Sequence, residues 1–227
     1  MFIVIIMLEK YLNFNKTILK DYLKKYNYYW EVLDDLNNLI LKVGETLDLG
    51  LYSKISHNIW VHKSAIIDDN CKIIGPCIIG ENSEIRYNAF IRGNVIVGNN
   101  CVVGNSSEIK NSILFNEVKV PHFNYVGDSI LGYKSHFGAG VITSNIKSNK
   151  SNINIVINDQ VYKINKIKLG SLVGDYVEIG CNSVLNPGTV IGKNTIIYPL
   201  TMVRNEIKAN SILKNDGTIE DKEIKLL

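Results

Sequence analysis

An apolar, mostly β-branched residue returns at every sixth position along much of this chain. From Val61 the series runs Ile67, Ile73, Ile79, Ile85, Ile91, Val97, Val103 and Ile109. Four residues after each, the side chain is usually small: Ala65, Cys71, Cys77, Ser83, Ala89, Val95, Cys101 and Ser107. Glycine often follows the apolar position, as at Gly80, Gly98 and Gly104. A second series, Val173, Ile179, Leu185, Ile191, Ile197 and Val203, has Val177, Ser183, Thr189, Thr195 and Thr201 as its partners.

This period is neither the roughly 3.6 residues of a helix nor the roughly 2 of a flat strand. It suits a chain that turns a corner every hexad, with three corners to a coil. Each β-branched residue then points into a prism, and the small residue sits where backbone and core approach closely. Coils stack as parallel strands about 4.8 Å apart, so residues three hexads apart lie above one another. The expected fold is all-β: a parallel β-helix of hexapeptide repeats over residues 51–213. Between the two series the phase slips around Val120–Asp128 and partly returns at Leu131 and Phe137.

Residues 1–50 carry helix-like spacing at Trp30, Leu33, Leu36, Leu39, Ile40 and Val43, with Gly44 as a plausible stop. Two short helices are expected here as an N-terminal cap on the first coil, because a solenoid end must be covered. Residues 144–169 are polar and alternating, a loop or β-ribbon pushed out of one corner. Residues 214–227 are read as a C-terminal tail.

Charge is nearly balanced, with 25 Lys+Arg against 22 Asp+Glu, which gives bulk charge no role in holding nucleic acid or an anionic membrane. The apolar start Met1–Met7 lacks a basic flank and a small-residue cleavage site, and no stretch reaches the roughly 20 apolar residues of a membrane span. A cytoplasmic protein is expected. Cys71, Cys77, Cys101 and Cys181 form no CxxC pair, so they read as buried free thiols rather than zinc ligands or disulfides.

A repeat protein departs from its repeat where it does something besides stack, which directs attention to the slip. Arg92 and Lys110 are three hexads apart and directly follow Ile91 and Ile109, so they should stack on one outer face. Like charges this close repel unless an anion lies between them or acidic neighbours screen them. An arginine fork beside a lysine point charge suits a phosphate. Glu108 equally suits an ordinary solvated face of mixed charge, and both readings stay open. His122 lies at the slip, with Tyr125 three residues on. Imidazole is the natural general base for an amine nucleophile, though a single loop histidine is also often structural.

The stretch from Arg92 to Asn145 resembles the C-terminal acetyltransferase domain of the bifunctional N-acetylglucosamine-1-phosphate uridyltransferase/glucosamine-1-phosphate acetyltransferase. It is also similar to the related archaeal sugar-phosphate nucleotidyltransferases with an acetyltransferase tail. The likeness is carried by Phe90-Ile91-Arg92, Val103-Gly104-Asn105 and Glu108-Ile109-Lys110. It continues through His122-Phe123-Asn124-Tyr125-Val126-Gly127-Asp128, Gly138-Ala139-Gly140 and Thr143-Ser144-Asn145. The resemblance implies a left-handed helix, a homotrimer with sites between subunits, acetyl-CoA as donor and no metal requirement. It makes His122 the general base for N-acetylation of an amino-sugar 1-phosphate, glucosamine 1-phosphate first among them. Arg92, Lys110 and Tyr125 would hold the sugar phosphate, Asn145 the amino sugar, and Ala139 and Cys181 the acetyl-CoA. His136 stands where that family usually has an asparagine, Lys150 is the nearest match to its lysine after Asn145, and its C-terminal arginine tail has no clear equivalent. Residues 1–50 are too few for the uridyltransferase domain, so nucleotide transfer is not expected. Two other readings accompany this one. One is a non-catalytic partner of a separate nucleotidyltransferase. The other is a metal-dependent lyase with three of His57, His62, His122 and His136 around zinc.

Overall fold

A computed structural model describes residues 7–223 of the chain. Three sheets run the length of a prism, each built from one short strand per coil. The first face starts at Ile59–His62 and ends at Glu206–Ile207, with Tyr52–Ser56 added antiparallel at its edge. The second runs from Ile66–Ile67 to Ser211–Leu213, closed by the antiparallel strand Ile219–Asp221. The third holds seven strands, from Lys72–Ile74 to Met202–Val203. All other pairings within the prism are parallel, as in Ile91 beside Ile109 and Ile109 beside Val126.

The hexad residues fill the interior. Ile85, Ile91, Val103, Ile109, Val126, Phe137, Val173, Leu185, Ile191 and Val203 are fully buried, and Ser83, Ser107, Ser183 and Thr189 take the small position. Ile67 and Ile73, in the first coil, are only half-buried. Cys77 and Cys101 are sealed in this core, where burial pushes their thiols up to about 12. Cys71 is half-buried, whereas Cys181 is exposed, against the expectation for the set. The corners need a backbone with positive φ, which asparagine tolerates better than most side chains. Asn82, Asn88, Asn94, Asn100, Asn111, Asn182, Asn194 and Asn205 occupy that conformation, which gives the abundant asparagine a structural use. At Gly104 the next coil comes so close that a Cβ would fall 1.6 Å from the Pro121 carbonyl oxygen.

The N-terminal segment packs on the first coil, where Gly44 lies against Trp60, but is not confined to it. Its helices Lys20–Leu23, Tyr29–Asp34 and Leu36–Gly44 lie along the first face. The Asn116 N–H donates to the Lys16 carbonyl at 2.9 Å, and the Asp175 N–H to the Tyr11 carbonyl at 3.0 Å, several coils from the start of the prism. The reason is in the strands beneath. Beside the inward hexad residue, this face carries an apolar residue pointing outward: Ile78, Ile96, Ile113, Ile130, Leu172 and Val190, all buried. Uncovered, they would form one long apolar stripe, and burying each contributes about 1.5–3 kcal/mol.

Every irregularity of the repeat falls on the corner between the third and first faces. The step from Ile109 to Leu114 is one residue short, as is that from Val126 to Leu131. Asn111 and Asp128 make these tight turns with positive φ. The slip expected across Val120–Asp128 therefore lies at Asn111 and at Asp128–Ser129, on either side of the His122 strand. At the next coil the same corner opens for the insertion, so that Ser129 meets Ser171, 42 residues on. The insertion is an antiparallel ribbon, Asn154–Ile157 with Gln160–Lys163. Its residues Ile153, Ile155 and Ile157 are buried. Glu206 fastens it, accepting the Asn158 N–H at 2.6 Å and the Tyr11 hydroxyl at 2.6 Å.

Candidate functional site

Two corners flank the third face, and the candidate residues divide between them. At the corner entering this face, His122 ends the strand Lys119–His122, with Asn105 beside it in the preceding coil. Its ring is exposed and tilted toward Phe123, with centroids 6.5 Å apart. Its backbone is held from two sides. The His122 N–H donates to Asn124 Oδ1 at 3.0 Å, and its carbonyl accepts the Gly140 N–H at 3.0 Å. Asn124, buried, donates through Nδ2 to the Gly138 carbonyl at 2.8 Å. One more coil on, the Asn182 N–H donates to the Ala139 carbonyl, and a Cβ on Gly138 would meet the Cys181 nitrogen at 2.7 Å. His122, Ala139 and Cys181 thus follow one another up a single corner in successive coils.

Of the N–H groups in Gly138-Ala139-Gly140, Gly138 donates to Ile179 and Gly140 to His122. Only the Ala139 N–H has no acceptor among the described residues.

The opposite corner gathers the charged groups. Continuing the register of Ile91 beside Ile109 by one residue sets Arg92 next to Lys110. Each has a carboxylate of its own. Arg92 Nη1 lies 2.6 Å from Glu108 Oε1, and Lys110 Nζ 3.5 Å from Asp128 Oδ2. The repulsion expected of the stacked pair is therefore relieved within the protein, and the Glu108 carboxylate raises the Arg92 pKa further. Asp128 also accepts from Asn111 Nδ2 at 2.8 Å and from Asn145 Nδ2. Asn145 reaches the Tyr125 hydroxyl at 3.2 Å. Burial pushes the Tyr125 phenol up, the Asp128 and Glu108 charges add to it, and Asn145 and Arg92 oppose. Arg92, Lys110, Tyr125 and Asn145 so form one network around Asp128 and Glu108.

Two residues of this site, Asn124 and Asp128, were not picked out individually from sequence, and Glu108 was read there only as part of a mixed-charge face. Asn124, Asp128 and Glu108 lie inside the quoted stretches, but their parts as bracket and counter-charges depend on contacts across coils. His136 is set apart, on the second face, with Nδ1 2.8 Å from Glu178 Oε2. Lys150 is exposed, on the insertion. Among the described residues no helix is long and apolar enough to cross a membrane.

The stacked strands and their six-residue corners define a hexapeptide-repeat parallel β-helix. Residues 73–167 match the GMPPB C-terminal domain, and residues 170–205 match the bacterial transferase hexapeptide (six repeats). Bifunctional protein GlmU of Methanococcus maripaludis is 34% identical over 210 residues, covering 90% of this chain and 50% of that protein. The bifunctional sugar-1-phosphate nucleotidylyltransferase/acetyltransferase of Sulfurisphaera tokodaii is 29% identical over 166 residues, or 65% of this chain and 41% of that protein. GlmU of Methanocaldococcus jannaschii is 32% identical over 113 residues, 49% and 27% respectively. The chain carries GMPPB C-terminal and hexapeptide-repeat domains, and its homologues are GlmU-type bifunctional proteins over their C-terminal region. It spans half or less of the length of these relatives.

Proposed function

We propose that this chain is an acetyl-CoA-dependent N-acetyltransferase acting on an amino-sugar 1-phosphate, with glucosamine 1-phosphate the first candidate. One observation carries the reading: His122, Ala139 and Cys181 climb one corner of the third face, while Arg92, Lys110 and Asn145 occupy the other. Similarity to a protein named bifunctional sugar-1-phosphate nucleotidylyltransferase/acetyltransferase supports it. The sugar phosphate lies across the face, its phosphate at Arg92 and Lys110, its ring against Tyr125 and Asn145. The acetyl-CoA arm runs along the opposite corner past Ala139 and Cys181. His122 takes a proton from the amine as nitrogen attacks the thioester carbonyl, a C–N bond forms, and the C–S bond breaks to release CoA thiolate. The Ala139 N–H is the backbone donor left to meet the developing oxyanion. The residues of one chain hold this site open to solvent, and in a homotrimer the neighbouring subunit closes it. No metal takes part in the transfer.

The test is thiol release from acetyl-CoA with a panel of amino-sugar phosphates and their unphosphorylated counterparts. Turnover restricted to the phosphorylated amines supports the reading, and absence of turnover with every amine overturns it. The pairing of Arg92 with Glu108 favours a second reading, a non-catalytic partner of a separate nucleotidyltransferase in which the phosphate seat is already filled. Co-purification with such an enzyme, in the absence of thiol release, selects it.

A further inference from the structure

Where the inserted ribbon leans over the corner between the third and first faces, it encloses a cleft of about 650 Å³. The cleft begins at Ser144, next to Asn145, and neither Arg92 nor Lys110 lines it. Two cations line it, Lys147 from the insertion and Arg204 from the prism, and no lining residue is acidic. Arg204 is exposed, and its guanidinium has no hydrogen-bond or ion-pair partner among the described residues. Lys147 reaches only the Asn152 carbonyl, at 2.7 Å. The nearest carboxylate in sequence, Glu206, is turned to Tyr11, Asn158 and Lys10. This differs from the rest of the corner, where Arg92 and Lys110 are each neutralised by a carboxylate.

The remaining lining is of two kinds. Ile146, Val156, Val161 and Pro187 form an apolar wall, and Val161 stays 53% exposed toward solvent although it lies on a strand. Side-chain amides such as Asn154 and Asn205 face the same space, able both to donate and to accept. Uncompensated cations beside an apolar wall and amides suit an anion joined to a flat, hydrogen-bonding group. We propose that this cleft is a second anion site that takes a nucleoside diphosphate, with its phosphates between Lys147 and Arg204 and its base along Val156, Val161 and Pro187. It is separate from the acyl-CoA path, which follows the opposite corner of the third face. The proposal does not depend on acetyl transfer, because binding is read directly.

The experiment is calorimetric titration of the full chain with UDP, ADP and inorganic phosphate, on wild type, Arg204→Gln, Lys147→Gln and Arg92→Gln. Thermal melts establish that each variant is folded, and the two cleft variants back each other if one is not. Wild type and Arg92→Gln are expected to bind at least one nucleoside diphosphate alike, with each cleft variant weakened about tenfold or more. Inorganic phosphate is expected to bind more weakly than the nucleotide. The proposal is overturned by no binding at millimolar nucleotide, or by cleft variants that bind as wild type does. Loss confined to Arg92→Gln also overturns it, since the nucleotide would then occupy the sugar-phosphate site. Phosphate binding as tightly as nucleotide overturns the contact assigned to the base.

Discussion

The side-chain amide of Asn124 bridges two coils, its Oδ1 accepting the His122 N–H at 3.0 Å and its Nδ2 donating to the Gly138 carbonyl at 2.8 Å. His122 and the Gly138-Ala139-Gly140 turn are therefore held by one buried residue. If His122 is the general base, His122→Ala lowers turnover about 10²–10⁴-fold with fold and assembly unchanged. Asn124→Ala leaves buried backbone groups unpaired and costs about 1–3 kcal/mol of stability. It should lower turnover while the His122 ring remains in place. Steady-state rates beside thermal melts check both, and wild-type turnover in His122→Ala sinks the assignment.

Arg92 is paired with Glu108, which gives the phosphate seat a distinctive signature. Arg92→Ala should raise KM for the sugar phosphate about tenfold and leave an unphosphorylated amino sugar little affected. Glu108→Gln should act in the opposite direction, lowering that KM by freeing the guanidinium. Loss of Arg92 and Lys110 together should be less than additive, because both serve one group. A sugar-phosphate KM unmoved in both Arg92→Ala and Glu108→Gln leaves the pair structural.

Ile113 points outward from the first face and yet is fully buried beneath the N-terminal segment. Ile113→Ala should cost about 2–5 kcal/mol, the penalty of a core truncation and not of a surface change. Ile113→Lys should release the segment, which limited proteolysis within residues 7–50 would detect. Full protection in the lysine variant refutes the packing described.

Glu206 joins the ribbon, the N-terminal segment and the prism, and its side chain is only 7% exposed. Burial pushes its carboxyl up, but the Asn158 N–H, the Tyr11 hydroxyl and Lys10 outweigh this, and its pKa falls below the ordinary 4.5. A carboxylate depressed in the folded state adds stability above its ordinary value and loses it as pH falls through the folded value. Hydrogen exchange of the ribbon amides should therefore accelerate as pH drops below about 4.5, after correction for intrinsic rates. Glu206→Gln should show the loosening already at neutral pH and remove most of the pH dependence. A wild-type ribbon equally protected at acid pH would contradict this.

Assembly is the remaining proposal. Light scattering at micromolar concentration is expected to give the mass of three chains. A monomer removes the shared-site arrangement.

The hexad series by itself determined the prism. A β-branched residue at every sixth position, with a small partner four residues later, buries itself in a prism, and the interior over Ile85–Ile109 and Val173–Val203 is built from those residues. The adjacency of Arg92 and Lys110 was legible for the same reason, since a fixed period makes sequence distance a spatial one. Tertiary structure decided what the period does not encode. The N-terminal helices were expected over the first coil, but the outward Ile78, Ile96 and Ile113 draw them along the first face. That signal was present as unbroken apolar runs, and the inward series masked it. The pairing of Arg92 with Glu108 depends on side-chain reach between neighbouring strands, and that of Lys110 with Asp128 on a shortened corner, neither of which periodicity fixes. Nor could the sequence place Arg204 and Lys147 on one cleft. They come together only because the ribbon folds back onto its corner, held there by Glu206.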